Sequence, residues 1–324
     1  MPIQRRHLLG ASLATLGLAH TSAFAQAWPA RAVHLIAPYG AGGSNDILTR
    51  LLGEALAPRI GQSLVIENKA GAGTRIANEY VARAAPDGHT VLHAAAPIAI
   101  GAALYPKLPY DVKTDFIPVL STAIAPLFLI VNADAPYKTV AEFIAYGKAS
   151  DKGLTFGSPG AGSAPHLTAE LLMRAAGTKG IVVQFRGDAP AYTELLAGRI
   201  DATLTAISTA LPHIQAGKLR VLGVANEERT PLYPQAPSLR ESGLPTVVGY
   251  GWYGLMVPAG TPAAIVQKLN ADTNAVLADP EMRKKVEAVG LQVRGGTSAE
   301  FATFIDSEIR KWTQVIQAAN IKPE

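Results

Sequence analysis

Val33-His34-Leu35-Ile36-Ala37-Pro38-Tyr39-Gly40-Ala41-Gly42-Gly43-Ser44-Asn45-Asp46 runs from an apolar strand through a glycine-rich turn into an amphipathic helical stretch, Ile47 to Leu56. The same design returns at Leu154-Thr155-Phe156-Gly157-Ser158-Pro159-Gly160-Ala161-Gly162-Ser163, followed by Ala164 to Ala176. Glycine lets the backbone approach a ligand closely, and the first amides of a helix point donors outward at the positive end of its dipole. Each turn taken alone also fits the plain role of a strand-to-helix connection. Two of them in one chain point to one anion gripped from two sides.

Strand-like and helix-like periods alternate around these turns, which predicts an α/β architecture with largely parallel sheets. Ser63 to Glu67 and Thr90 to Ala94 read as strands, with helices over Ile47 to Ala57, stopped around Pro58, and Ile76 to Ala85. Leu127 to Val131 is a strongly apolar strand following Ala123-Ile124-Ala125, and Thr139 to Lys148 is a helix with Thr139 and Glu142 spaced as a capping box. Ile181 to Phe185, Ala202 to Ala206, Leu219 to Ala225 and Gly254 to Val257 complete the strands, with a helix over Ala189 to Ala197. Helices follow over Ala263 to Ala278, Pro280 to Val289 and Ala299 to Ala319, with Leu291 to Val293 as their one strand. That tail is short of strands for a domain of its own, so it is expected to return to the first lobe. Two crossovers then join the lobes and permit hinge closure.

The N-terminus reads as an export signal: Arg5-Arg6 precedes an apolar stretch, and Ala23-Phe24-Ala25 has the spacing of a cleavage site. The arginine pair suggests the Tat route. Cleavage near Ala25 and a periplasmic, soluble product are expected. The chain has no cysteine, which removes disulfides, thiol nucleophiles and thiolate metal sites together. Its 29 basic and 25 acidic residues are nearly balanced, and losing Arg5 and Arg6 narrows the gap. A nucleic-acid footprint needs clustered positive charge, so nucleic acid is not an expected partner.

Enzyme motifs are tested and fail. Gly42-Gly43-Ser44-Asn45 lacks the lysine of a phosphate-binding loop, and Gly40 to Asn45 breaks the dinucleotide fingerprint at its last position. There is no G-x-S-x-G elbow, and His213 is the last histidine. Ser163 and His166 lie one helical turn apart, a spacing that suits a helix cap followed by a polar surface residue better than a nucleophile and base. His89 and His93 lie four apart in a predicted strand, ~13 Å at strand rise and too far for one metal ion. Asp46 can complement the helix dipole or stand beside a ligand as an acceptor. Arg75 and Arg186 can pair with a carboxylate or simply face solvent. No cofactor or metal is called for.

Over nearly the whole mature chain the ordered motifs resemble the Bug-type (TctC-like) substrate-binding proteins of tripartite tricarboxylate transporters. They are Pro38 to Asp46 with Arg50, Glu67 to Gly73, Val81 to Leu92, Leu104-Tyr105 with Leu108 to Asp111, Gly157 to Gly160, Gly187 to Ala191, and Trp252 to Leu255. The resemblance implies a two-lobed periplasmic-binding-protein fold of type II, a Venus flytrap, with lobe I from residues 26–123 plus 250–324 and lobe II from 124–249. It implies a receptor, not an enzyme, capturing a small organic carboxylate, a di- or tricarboxylate, between the lobes. By the same resemblance the loops matching Tyr39 to Gly43 and Gly157 to Ser163 line the cleft, the segment matching Ala94 to Ile98 borders it, and Asp46 matches a position that can meet the amino group of amino-acid ligands in some members. Two departures stand out: Thr74-Arg75 replaces the usual Gly-Asn, and Thr205 stands where an Asp is common. Both favour a more anionic or differently shaped ligand.

The candidate ligand-binding residues are therefore Tyr39, Gly40, Ala41, Gly42, Gly43, Asp46, Arg75, Ala95, Ala96, Gly157, Ser158, Gly160, Ser163, Arg186 and Thr205. The expected product is a monomer that touches membrane transporter subunits transiently. The competing readings are a hydrolase or isomerase working in the same cleft, and a sensory module reporting ligand to a membrane kinase.

Overall fold

The computed structural model describes residues 28–322, apart from Ala161, Arg186 and Gly187 and the side chains of Asp188, Ala189 and Thr209. The expected leader over residues 1–25 lies outside the described residues. The first half of the chain runs β1 (Val33–Ala37), α1 (Ser44–Ile60), β2 (Leu64–Asn68), α2 (Arg75–Ala82), β3 (Thr90–Ala95), α3 (Pro97–Leu104), β4 (Phe116–Pro126), β5 (Phe128–Asn132) and α4 (Val140–Ala149). It continues through β6 (Leu154–Ser158), α5 (Ala164–Ala176), β7 (Gly180–Gln184), α6 (Asp188–Leu196), β8 (Ala202–Thr205), α7 (Ile207–Gln215) and β9 (Leu219–Val224). The last part is β10 (Tyr250–Pro258), α8 (Ala263–Ala278), α9 (Pro280–Ala288), β11 (Gln292–Gly295) and α10 (Ser298–Ala318).

Two sheets form, in the orders β11-β4-β10-β3-β1-β2 and β7-β6-β8-β5-β9. Each contains a parallel set, β2-β1-β3 in one and β7-β6-β8 in the other. The sheets are mixed, however, and the expectation of largely parallel sheets is corrected. β10 runs antiparallel to β3 and β4, β11 antiparallel to β4, and β5 antiparallel to β8 and β9. Topology explains the reversals. β4 leaves the first sheet at the edge where its parallel strands end, and only Leu127 separates it from β5. A chain crossing there enters the second sheet by the matching edge, and so against its parallel set. β10 makes the return trip under the same constraint.

Several boundaries shift for local reasons. α1 passes through Pro58 and ends at Gly61, whose φ of 75° is left-handed and whose amide caps the Ala57 carbonyl. Proline in the last turn removes one hydrogen bond without stopping a helix that is about to end. Thr139 caps α4 by accepting the Glu142 amide at 3.2 Å, but the Glu142 carboxylate takes the amide of Lys138, one residue before the expected partner. The full capping box occurs at α10 instead, between Thr297 and Glu300.

The tail packs on the first sheet: β11 is its edge strand, and α8 covers β4 and α1. α10 reaches further, lying along α3 and β4 and also against α5 of the second sheet. Its buried face, Phe301, Ile305, Trp312, Val315 and Ile316, joins one apolar cluster containing residues of both sheets. Near its middle Glu308 accepts the Trp312 indole N–H at 3.0 Å and pairs with Lys311, whose Nζ donates to the Val248 carbonyl at 3.5 Å, just before β10. α10 thus fastens the strand by which the chain returns.

Gly254 shows how tightly α10 is seated: a Cβ there would lie 2.2 Å from Phe301 Cζ and 2.8 Å from the Leu120 carbonyl oxygen. Gly254→Ala is expected to lower stability by about 1–3 kcal/mol, the usual cost of overpacking, as read by urea unfolding. An unchanged midpoint would mean that α10 can lift off the sheet at no cost.

Candidate functional site

The parallel strands of both sheets end at one gap, and four helices begin there. The turns after β1 and β3 lead into α1 and α3, and the turns after β6 and β8 into α5 and α7. Ligands of open α/β sheets bind outside the carboxyl ends of the strands, and the first amides of a helix have no partner within it. Between the turns lies a cavity of about 330 Å³. Its walls are Tyr39, Ala95, Ala96 and Pro97 from the first sheet and Pro159, Ser163, Ala164, Pro165, Thr205 and Ala206 from the second. Ala125, Leu127, Gly251, Trp252 and Tyr253 close it from the two crossovers. A larger depression of about 620 Å³ lies on α2 between Ile76, Tyr80 and Arg83, but it is an open surface groove. None of the described residues lining the interlobe cavity carries a charge.

The first turn is held by Asp46. Its Oδ2 accepts the Gly42 amide at 2.9 Å and Arg50 Nε at 3.0 Å, and its Oδ1 accepts Arg50 Nη2 at 3.0 Å and Asn68 Nδ2 at 2.8 Å. Asn68 Nδ2 also donates to the Tyr39 carbonyl at 2.9 Å, so carboxylate, amide and turn form one unit. Arg50 above all pulls the Asp46 pKa down to about 2, against the opposing effect of burial. Gly42, at φ 88°, supplies a left-handed residue that a side chain would strain. The four donors give Asp46 a structural account. It shapes the turn and is absent from the cavity wall, as are Gly40, Ala41, Gly42 and Gly43, all four of them exposed. Tyr39 does line the cavity. Burial, with the neighbouring Tyr253, pushes its phenol pKa upward, which keeps it a neutral donor.

The second turn is stitched by serines. Ser163 Oγ donates to the Gly160 carbonyl at 2.6 Å and accepts the His166 amide at 3.3 Å, while Ser158 Oγ lies 3.1 Å from both Ser163 Oγ and the Gly160 carbonyl. Ser163 is thus the helix cap that its spacing suggested. His166 is not the surface residue expected beside it: it is buried, and its Nδ1 accepts the Gly162 amide at 3.0 Å. That ring nitrogen serves the turn rather than the Ser163 hydroxyl. Gly157 and Ser158 support from below, Gly157 facing Ile200, Ala191 and Phe185. Thr205 lies in the cavity wall and accepts the Tyr192 hydroxyl at 3.3 Å.

Of the candidate residues, Tyr39, Ala95, Ala96, Ser163 and Thr205 come together around the cavity. Arg75 does not: its Nε donates to the Ala72 carbonyl at 2.8 Å, and its guanidinium lies 4.2 Å from the Tyr105 ring centre. Arg186 lies outside the described residues. Sequence reading missed the crossover residues and the wall residues Ala164, Pro165 and Ala206, which have no chemical signature of their own. It also missed a floor behind the cavity. His93, fully buried, has Thr49 Oγ1 2.6 Å from Nδ1 and Thr122 Oγ1 2.9 Å from Nε2, with its ring centre 5.9 Å from that of Tyr253. Burial lowers its pKa to about 3. His89 falls before β3 and accepts the Ala30 amide at 3.3 Å, so the two histidines share no site. No group of three metal-ligating side chains occurs among the described residues.

A family model described as "Tripartite tricarboxylate transporter family receptor" matches residues 48–321. Protein BugT of Bordetella pertussis is 32% identical over 317 residues, covering 97% of this chain and 97% of that protein. Two solved structures are similar throughout. Rpa4515 of R. palustris, solved with adipate, is 32% identical with a TM-score of 0.80, over 92% of this chain and 100% of that one. MatC (Rpa3494) of Rhodopseudomonas palustris, with bound malate, is 34% identical with a TM-score of 0.75, over 89% and 99%.

The buried imidazole gives a pH prediction. Unfolded, His93 takes up a proton near its ordinary 6.5, whereas folded it resists down to about 3. The unfolded state therefore binds more protons in between, and stability falls as pH drops through that window. His93→Gln should flatten this acid limb in urea titrations while costing about 1–3 kcal/mol at neutral pH through its disturbed hydrogen bonds. An acid limb as steep as that of the unmodified protein would exclude His93 as its source.

Proposed function

The chain belongs to the tripartite tricarboxylate transporter receptor family, and on that premise we propose that it captures a small organic carboxylate, a di- or tricarboxylate, in the cavity between its sheets. One observation carries the reading: the starts of α3, α5 and α7, with Tyr39 of the turn before α1, meet at a cavity whose described lining holds no charged side chain. Such a space offers an anion oriented amides and the positive ends of helix dipoles, with nothing to repel it. The adipate and malate of the two similar structures have the chemistry this predicts. Tyr39, Ser163 and Thr205 add hydroxyls, and the prolines, Leu127 and Trp252 add an apolar surface for the carbon chain.

Charge-assisted hydrogen bonds contribute about 1.5–3 kcal/mol each. Three or four are enough for a micromolar constant, about −8 kcal/mol, after ordering costs. The lobes divide near residues 123 and 250 and close over the ligand, and the closed form is what membrane subunits of the transporter meet. The leader ending near Ala25 delivers a monomer to the periplasm. No helix among the described residues is long and apolar enough to cross a membrane. The family is one of receptors, and no observation favours the hydrolase, isomerase or sensory readings.

Adipate, malate or succinate should raise the melting temperature of the pure protein. At a concentration 100 times Kd the gain is about 2.7 kcal/mol, worth several degrees. Ala206→Asp places a negative charge at the start of α7 and should weaken binding at least roughly tenfold, with an unchanged circular dichroism spectrum. If none of the acids binds by calorimetry, or if the substitution leaves affinity intact, the amide-lined cavity is not the carboxylate site.

A further inference from the structure

His166 reaches the second turn twice. Its backbone amide donates to Ser163 Oγ at 3.3 Å, and its ring Nδ1 accepts the amide of Gly162 at 3.0 Å. Gly162 sits where the turn carrying Pro159 and Ser163 meets the opposite sheet: a Cβ on it would lie 3.0 Å from Leu104 Cδ2, at the end of α3. Its φ of 67° is left-handed. A ring nitrogen that accepts a hydrogen bond has no proton. When it takes one up, two donors face each other and the Gly162 amide loses its partner. His166 is only 8% exposed, so water has little room to replace the bond.

We propose that His166 is a positioning residue that keeps Gly162 and Ser163 in their ligand-binding positions only while its imidazole is neutral, so that carboxylate capture weakens in acid. This rests on the carboxylate reading of the cavity. Glu170, one turn further along α5, has Oε1 3.9 Å from Nε2 and favours the protonated ring. That distance is beyond hydrogen-bond length, so Glu170 does not replace the bond that protonation breaks. The positive end of α5 opposes protonation, and a bound anion favours it. Of the strands packed on α5, β6, β7 and β8 carry no ionisable side chain, and β10 brings Tyr250 and Tyr253. α10 brings Glu300, Asp306, Glu308, Arg310 and Lys311, of which Glu308 pairs with Lys311 and Asp306 with Lys113. α3, across the gap, carries none.

Free imidazoles titrate near 6.5, inside the range a periplasm can experience. The test follows ¹⁵N-labelled protein from pH 8 to pH 5. The Gly162 amide resonance should titrate together with the His166 ring, and should lose that titration in His166→Asn. Calorimetry with adipate should show affinity falling roughly tenfold over the same range in the unmodified protein and varying less than about twofold in His166→Asn, whose side-chain oxygen stands where Nδ1 stood and accepts at every pH. A Gly162 resonance indifferent to the ring proton, or an adipate affinity level from pH 8 to pH 5, overturns the proposal. If adipate, malate and succinate all fail to bind at pH 8, the carboxylate reading falls instead, and the Gly162 titration still decides the role of His166.

Discussion

Backbone amides at helix starts have no acceptor within their own helix, and that constraint organises this molecule. Parallel strands force each following helix to begin at the same edge of its sheet. Two such sheets, joined by crossovers, begin four helices around one gap, and the starts of α3, α5 and α7 reach the cavity wall. The crossovers reinforce this, because a chain passing directly from β4 into β5, or back into β10, must cross at that edge. Ala125, Leu127 and Gly251 to Tyr253 therefore serve as crossover and as cavity wall together. Fold and site are the same fact seen at two scales.

Much of the fold was legible because periodicity carries it. The helix over Ala263 to Ala278 emerged with the bounds its apolar spacing gave, and strands such as Ala202–Thr205 within a residue. What escaped had no period to show. α3 is apolar on nearly every side, Pro97-Ile98-Ala99-Ile100-Gly101-Ala102-Ala103-Leu104, and a helix buried all round presents no stripe. β4 is interrupted by Pro118, Ser121 and Thr122, which obscure an eleven-residue strand. The site was legible in part for a related reason. Glycine-rich turns announce two of the four helix starts, whereas Ala95-Ala96-Pro97 and Thr205-Ala206 look like ordinary connections.

Charged residues near the gap are consumed in building it. Asp46 with Arg50 and Asn68 sets the first turn, Arg75 lies on Tyr105, and His93 with Thr49 and Thr122 fills the floor as a neutral ring. Such satisfied networks fix one geometry because each alternative leaves a buried polar atom without a partner. Such rigidity is what the proposed site needs, since amides cannot be re-aimed by side-chain rotation.

An anion grip made of main chain is indifferent to which residue supplies it. Replacing Ala95, Ala164 or Ala206 by another small residue reshapes the chamber yet leaves its dipoles where they were. Inheritance can therefore separate what holds the charged end of a solute from what measures the rest of it. Lineages that diverge over two thirds of their positions remain free to retarget their choice of acid by swapping inert wall residues.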